Sequence, residues 1–149
     1  MKIFVTVGTT AFDNLIAAAD QQLTNKYTLV SQISDGAYLP KNHEYFRFTD
    51  KVNRYFENAD LIVCHGGAGT IYKVLELGKK LVIVPNLDRV DHHQLDICDF
   101  MVKNDHALAC LNTDDLYSCI EKAKLMTYVP YKPDPFKGIA KIRSYLDLN

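Results

Sequence analysis

The chain has 149 residues, 48% hydrophobic and 23% charged, with a formal net charge of −1, which suits one domain with its own core. The near-neutral balance gives no bulk attraction to nucleic acid or to an anionic membrane, so neither is expected as a direct partner. No apolar run approaches the ~20 residues of a membrane span, and the first ten residues, MKIFVTVGTT, carry one lysine and no signal-type cleavage site, so a cytoplasmic chain is expected.

Apolar runs and helical patterns then alternate. Lys2–Val7 reads as a first strand, followed by Gly8, Thr9 and Thr10. Phe12, Leu15, Ile16, Ala19 and Leu23 recur at helical spacing. Tyr27–Ile33 is a second strand, closed by Asp35-Gly36 and a loop through Pro40, and Glu44–Phe48 a third. Lys51–Asn58 is a short helix with Val52, Tyr55 and Phe56 inward. Leu61–Cys64 is strand four, Thr70–Leu77 its helix, ended by Gly78, and Leu81–Val84 strand five. A loop from Pro85 to Asp91 leads to a helix over His92–Asn104. Ala107–Cys110 is a last short strand, and a helix runs from Asp114 or Asp115 to Lys124.

The segment YVPYKPDP, 128–135, closes the compact part, giving a domain of residues 1–127 and a tail of 128–149. The tail's final helix, Phe136–Asp147, has Ile139, Ile142 and Leu146 on one stripe, which suits either self-packing or a partner. Strand–helix alternation argues for an α/β fold, a Rossmann-like doubly wound parallel sheet covered on both faces. Cys64, Cys98, Cys110 and Cys119 show no CxxC spacing and read as small buried hydrophobes.

Ligands of such sheets sit beyond the carboxyl ends of the strands, and two glycine-bearing loops fall there. In CHGGAGT, residues 64–70, glycines 66, 67 and 69 follow His65 and flank Ala68. They let the backbone turn sharply and bring N–H groups against a ligand, while a helix starting at Thr70 points its positive end into the same space. That suits a diphosphate, and Gly8, Thr9 and Thr10 can add donors. The alternative is a tight turn that needs glycine only for packing. Neither GxxxxGK[ST] nor GxGxxG is present. After strand five, Asn86, Asp91, His92, His93 and Gln94 gather polar groups on the same edge. The two histidines point about 100° apart on a helix, so they cannot line one site equally, and no third converging ligand suggests zinc.

Together, VGTTAFDNLI, HGGAGTIYKVLELGKKLVIVPN and DHHQLDI resemble the carboxyl-terminal domain of glycosyltransferase family 28, of the GT-B type. The short chain resembles its free-standing version, the donor-binding subunit of two-part glycosyltransferases. One branch forms chitobiosyl-diphosphodolichol, and another builds bacterial capsule and exopolysaccharide. The resemblance implies a UDP-sugar as substrate, its diphosphate over 65–70 (His65, Gly66, Gly67, Ala68, Gly69 and Thr70) and beside Gly8, Thr9 and Thr10. Asn86, His93 and Gln94 would lie near the sugar hydroxyls. It implies no cofactor and no metal, in keeping with the lack of a DxD pair. The general base and the lipid-linked acceptor would belong to a membrane-attached partner subunit, through which this chain would be peripherally membrane-associated. One residue departs from the family pattern: Lys73 stands where an acidic residue usually contacts the ribose, and a lysine cannot accept those hydroxyl hydrogen bonds. A non-catalytic nucleotide-sugar-binding or assembly subunit is the alternative function.

Overall fold

Residues 1–88 and 93–133 are described by a computed structural model; His92 and the helix expected over 136–147 lie outside them. In chain order the elements are β1 (Lys2–Thr6), α1 (Asp13–Gln22), β2 (Thr28–Gln32), β3 (Glu44–Phe46), α2 (Val52–Asn58), β4 (Leu61–Cys64), α3 (Ala68–Glu76), β5 (Lys80–Ile83), α4 (His93–Lys103), β6 (Leu108–Ala109) and α5 (Leu116–Leu125). A 3₁₀ turn, Thr113–Asp115, leads into α5, with Asn112 accepting the Asp114 N–H.

The strands form one parallel sheet in the order β3-β2-β1-β4-β5-β6. Strand alternation divides the core into two layers. Ile3 and Val5 of β1, Leu61 and Val63 of β4 and Val82 of β5 face α1 and α5. Phe4, Ile62, Cys64, Leu81 and Ile83 face α2, α3 and α4, meeting Phe56, Ile71, Val74 and Met101. The central strands are buried on both sides, which is why they read as continuous apolar runs. The two edge strands, β3 and β6, have three and two residues.

The sheet and its order are those of the doubly wound class expected from the sequence. The start of α3 differs. It begins at Ala68, two residues before the expected Thr70, because burial of Ile71, Val74 and Leu75 draws the Ala68-Gly69 pair into the first turn despite glycine's poor helix propensity. The cysteines are free thiols, with Cys64, Cys98 and Cys110 buried. Burial pushes the Cys98 thiol up to about 11 and that of Cys110 up to about 12, so both stay protonated at neutral pH. Among the described residues no helix is long and apolar enough to cross a membrane.

A buried polar hub ties α1 to the β2–β3 connection. Asp20, 1% exposed, accepts the N–H groups of Lys41 and Asn42, the Tyr38 hydroxyl and His43 Nδ1, all within 3.1 Å. His43 Nε2 lies 2.7 Å from Ser31 Oγ. Burial raises the Asp20 carboxyl, but the Lys41 amide and the other donors outweigh it and hold it below 3.8. Burial holds His43 below its ordinary 6.5 despite the neighbouring aspartate.

Both shifts have the same consequence for stability. As pH falls below 6.5 the unfolded chain takes up a proton at His43 that the folded chain resists, and below 3.8 the same holds for Asp20. Thermal stability is therefore expected to be full above pH 7 and to decline on acidification, first through the histidine and then through the aspartate. A melting temperature that stays flat from pH 7.5 to 3.5 would contradict this account.

Candidate functional site: a glycine elbow between two helices

β1 and β4 are neighbours, with Thr6 opposite Cys64, so the loops that follow them leave the sheet side by side. The first loop turns at Gly8, whose φ of +65° favours glycine. Its N–H donates to Thr6 Oγ1 at 3.2 Å and its carbonyl accepts from Gln32 Nε2 at 3.1 Å, so both main-chain groups are used within the fold. Thr9 and Thr10 beyond it are exposed.

In the second loop the His65 ring stands between the two turns. A Cβ at Gly8 would fall 2.6 Å from His65 Cε1, and one at Gly67 would fall 2.3 Å from His65 Nε2. Glycine at both positions is what lets the imidazole fit. Gly66 is pressed on its other side by α4: a Cβ there would lie 2.5 Å from Gln94 Cβ. Gln94 also accepts the Asn86 N–H with Oε1 at 3.0 Å, which fixes the exit of β5 to the first turn of α4. Its carbonyl oxygen is thereby engaged, and its NH₂ group is the part left to donate.

Gly67 is the extended residue before α3, and its carbonyl takes the first helical bond, from Ile71 N–H at 3.1 Å. The amides of Ala68, Gly69 and Thr70 precede that bond and form the donor end of the helix, where the dipole is positive. No side chain caps this end.

An open cleft of about 640 Å³ runs from this elbow down the groove between α3 and α4. It unites His65, Gly66, Gly67, Ala68, His93 and Gln94 of the expected site residues. Gly69 and Thr70 follow Ala68 on the first turn of α3 and do not line the cleft. Asn86 does not line it but is bonded to Gln94, and neither Gly8, on the far side of the His65 ring, nor the exposed Thr9 and Thr10 lines it. The cleft thus adjoins the elbow, while the Cβ positions of Gly66 and Gly67 are themselves taken up by Gln94 and His65. Four further lining residues were not foreseen: Tyr72, Asp96, Ile97 and Phe100. Their spacing was a usable signal, since 72 is four residues from 68, and 96, 97 and 100 are three, four and seven from 93. They give the lower cleft an apolar wall and one carboxylate. Lys73 does not line it, and its side chain has no hydrogen bond or ion pair among the described residues. No cluster of three or more metal-ligating side chains occurs among the described residues.

Main-chain donors at a helix start, a nearby imidazole and an open groove lie together at the carboxyl edge of a parallel sheet, the edge at which such folds take their ligands. The model of the glycosyltransferase family 28 C-terminal domain matches residues 2–134. The chain belongs to that family.

Among curated relatives, the chain is 32% identical over 144 residues to the human UDP-N-acetylglucosamine transferase subunit ALG13, covering 87% of this chain and 12% of that protein. It thus spans only about an eighth of that relative's length. The fold is shared with the NMR solution structure of ALG13 (TM-score 0.61, 19% identity, 97% of this chain and 94% of that one). It is likewise shared with part of Acinetobacter baumannii MurG (TM-score 0.60, 21% identity, 84% of this chain and 42% of that one). A Rossmann-like unit that matches less than half of the latter corresponds to one half of a GT-B glycosyltransferase.

Proposed function

We propose that this chain is the donor-binding, catalytic subunit of a two-component inverting UDP-sugar glycosyltransferase that extends a lipid-linked saccharide, in capsule, exopolysaccharide or similar glycan synthesis. The donor diphosphate sits over the Gly66–Thr70 backbone, and the sugar reaches toward His93, Gln94 and Asn86. The acceptor and the general base are supplied by a membrane-attached partner, which holds this cytoplasmic chain at the membrane. Rate is gained where charge develops on the departing UDP, which the α3 amides and dipole stabilise without a metal. The ALG13 likeness supports UDP-N-acetylglucosamine as the first donor to try.

Gly69 carries this reading. It is exposed in the first turn of α3, and nothing lies within 4 Å of where a Cβ would stand. Packing gives no reason for glycine there, and alanine would favour the helix by up to about 1 kcal/mol. Close approach of a ligand gives such a reason. Calorimetry is expected to show saturable UDP binding, equal in EDTA and in magnesium. Gly69→Ala should leave the melting temperature unchanged or raised and weaken UDP by roughly tenfold, the scale of one hydrogen bond to a charged group. No heat from UDP or UDP-sugars at millimolar concentration, with or without the co-purified partner, rejects the proposal.

Lys73 favours a second reading, a non-catalytic nucleotide-sugar-binding subunit, because the ribose hydroxyls have no acceptor at that position. Donor binding without sugar transfer in the reconstituted two-subunit enzyme selects it.

A further inference from the structure

We propose that residues 126–133 form a strap coupled to the diphosphate cleft through one shared side chain, Tyr72, so that seating the strap tightens nucleotide binding and nucleotide binding seats the strap. This rests on the cleft being a UDP site.

The strap begins where α5 ends and crosses from one layer of the core to the other. Tyr128 packs against the α1–α5 layer, and Tyr131, three residues on, packs against the α3–α4 layer. Between them the backbone is held at both polar groups of Val129. Its N–H donates to the Asp105 carbonyl at 2.9 Å, and its carbonyl lies 2.8 Å from His106 Nδ1. The crossing is therefore fixed to the end of α4.

Tyr131 then packs between Tyr72 of α3 and His106 in the turn that follows α4. Its ring lies 5.5 Å from that of Tyr72 and 5.5 Å, edge-on, from that of His106. Tyr72 projects from the middle of α3, one turn below Ala68, and it also lines the cleft. One ring thus meets the strap on one side and the ligand space on the other. Displacing Tyr131 frees Tyr72 to turn, and with it loosens the side of α3 that presents the Ala68–Thr70 amides. A site whose donors must be aimed before the ligand arrives binds more tightly when the helix bearing them is held. By reciprocity, a ligand that prefers the held helix must favour the seated strap by the same factor. Tyr131 is in this sense a positioning residue.

The test uses the full chain, UDP as the probe, and two readouts. In hydrogen exchange, the Val129 amide reports the strap directly, because its only described bond is the one to Asp105. UDP at saturation is expected to slow Val129 exchange by about two- to tenfold, the range set by a single aromatic pair. Tyr131→Ala should speed exchange at Val129 and in the first turn of α3 in the ligand-free protein, and weaken UDP by a similar factor. Tyr131→Phe, which keeps the ring, should restore both. If wild-type protein binds UDP while Val129 exchange is unchanged and Tyr131→Ala binds normally, the strap is packing alone and the coupling is wrong. If the wild type binds no UDP, the reading of the cleft falls and the coupling falls with it.

Discussion

Gly67→Val is expected to lower UDP affinity by at least about 100-fold, equivalent to about 2.8 kcal/mol. A Cβ at position 67 would stand 2.3 Å from His65 Nε2 and 2.8 Å from Cε1. The ring cannot retreat toward the other loop, since Gly8 already approaches it within 2.6 Å of its own missing Cβ. Either the ring swings out into the cleft it lines and takes up ligand space, or the chain shifts at Gly67, whose carbonyl anchors α3, and the three amides that precede the first helical bond move with it. Overpacking of this kind costs about 1–3 kcal/mol of stability, so the variant should still fold. Calorimetry on protein shown by circular dichroism to be folded decides the matter: near-normal UDP affinity in Gly67→Val would remove the elbow from the binding site.

The second large effect concerns stability. Asp20→Ala should destabilise the domain by about 3–5 kcal/mol, because it removes at one stroke the buried carboxylate that four donors share. The amides of Lys41 and Asn42, the Tyr38 hydroxyl and His43 all converge on that carboxylate, which is 1% exposed. Urea unfolding should show a lower midpoint at unchanged slope. Asp20→Asn keeps an acceptor but brings its own NH₂ group against the amides, so it should recover only part of the loss. A midpoint within experimental error of wild type for Asp20→Ala would mean that the loop finds other partners.

These two sites differ in how far the sequence revealed them. The doubly wound sheet was readable because β4 and β5, buried on both faces, are unbroken apolar runs and the helices between them keep a 3.6-residue period. The glycine elbow stands out in the sequence as three glycines near one histidine, whereas the packing of His65 and Gln94 that calls for glycine at 67 and 66 shows only in the fold. The start of α3 was not readable, since Gly69 argues against helix locally and only the packing of Ile71 and Val74 overrides it. The Asp20 hub left one clue, an acidic residue beside Ala19 on the apolar side of α1. Its partners at 38–43 lie across a loop whose path no periodicity encodes. The prolines of the strap signal a break in the chain, and nothing in their spacing shows that Tyr128 and Tyr131 pack against opposite layers. The far side of the cleft was missed for a simpler reason: Tyr72 and Phe100 look like ordinary amphipathic helix residues until two helices are placed side by side.

The brevity of β3 and β6 bears on how this molecule can join others. An outermost strand of three residues and one of two offer few rungs for a neighbouring polypeptide to zip onto. Lateral growth into a continuous intermolecular ladder, the usual route to sticky oligomers, is therefore poorly supported. Any stable companion has to grip side chains on helices and connecting segments, which leaves the strands free to act as an unchanging frame during assembly.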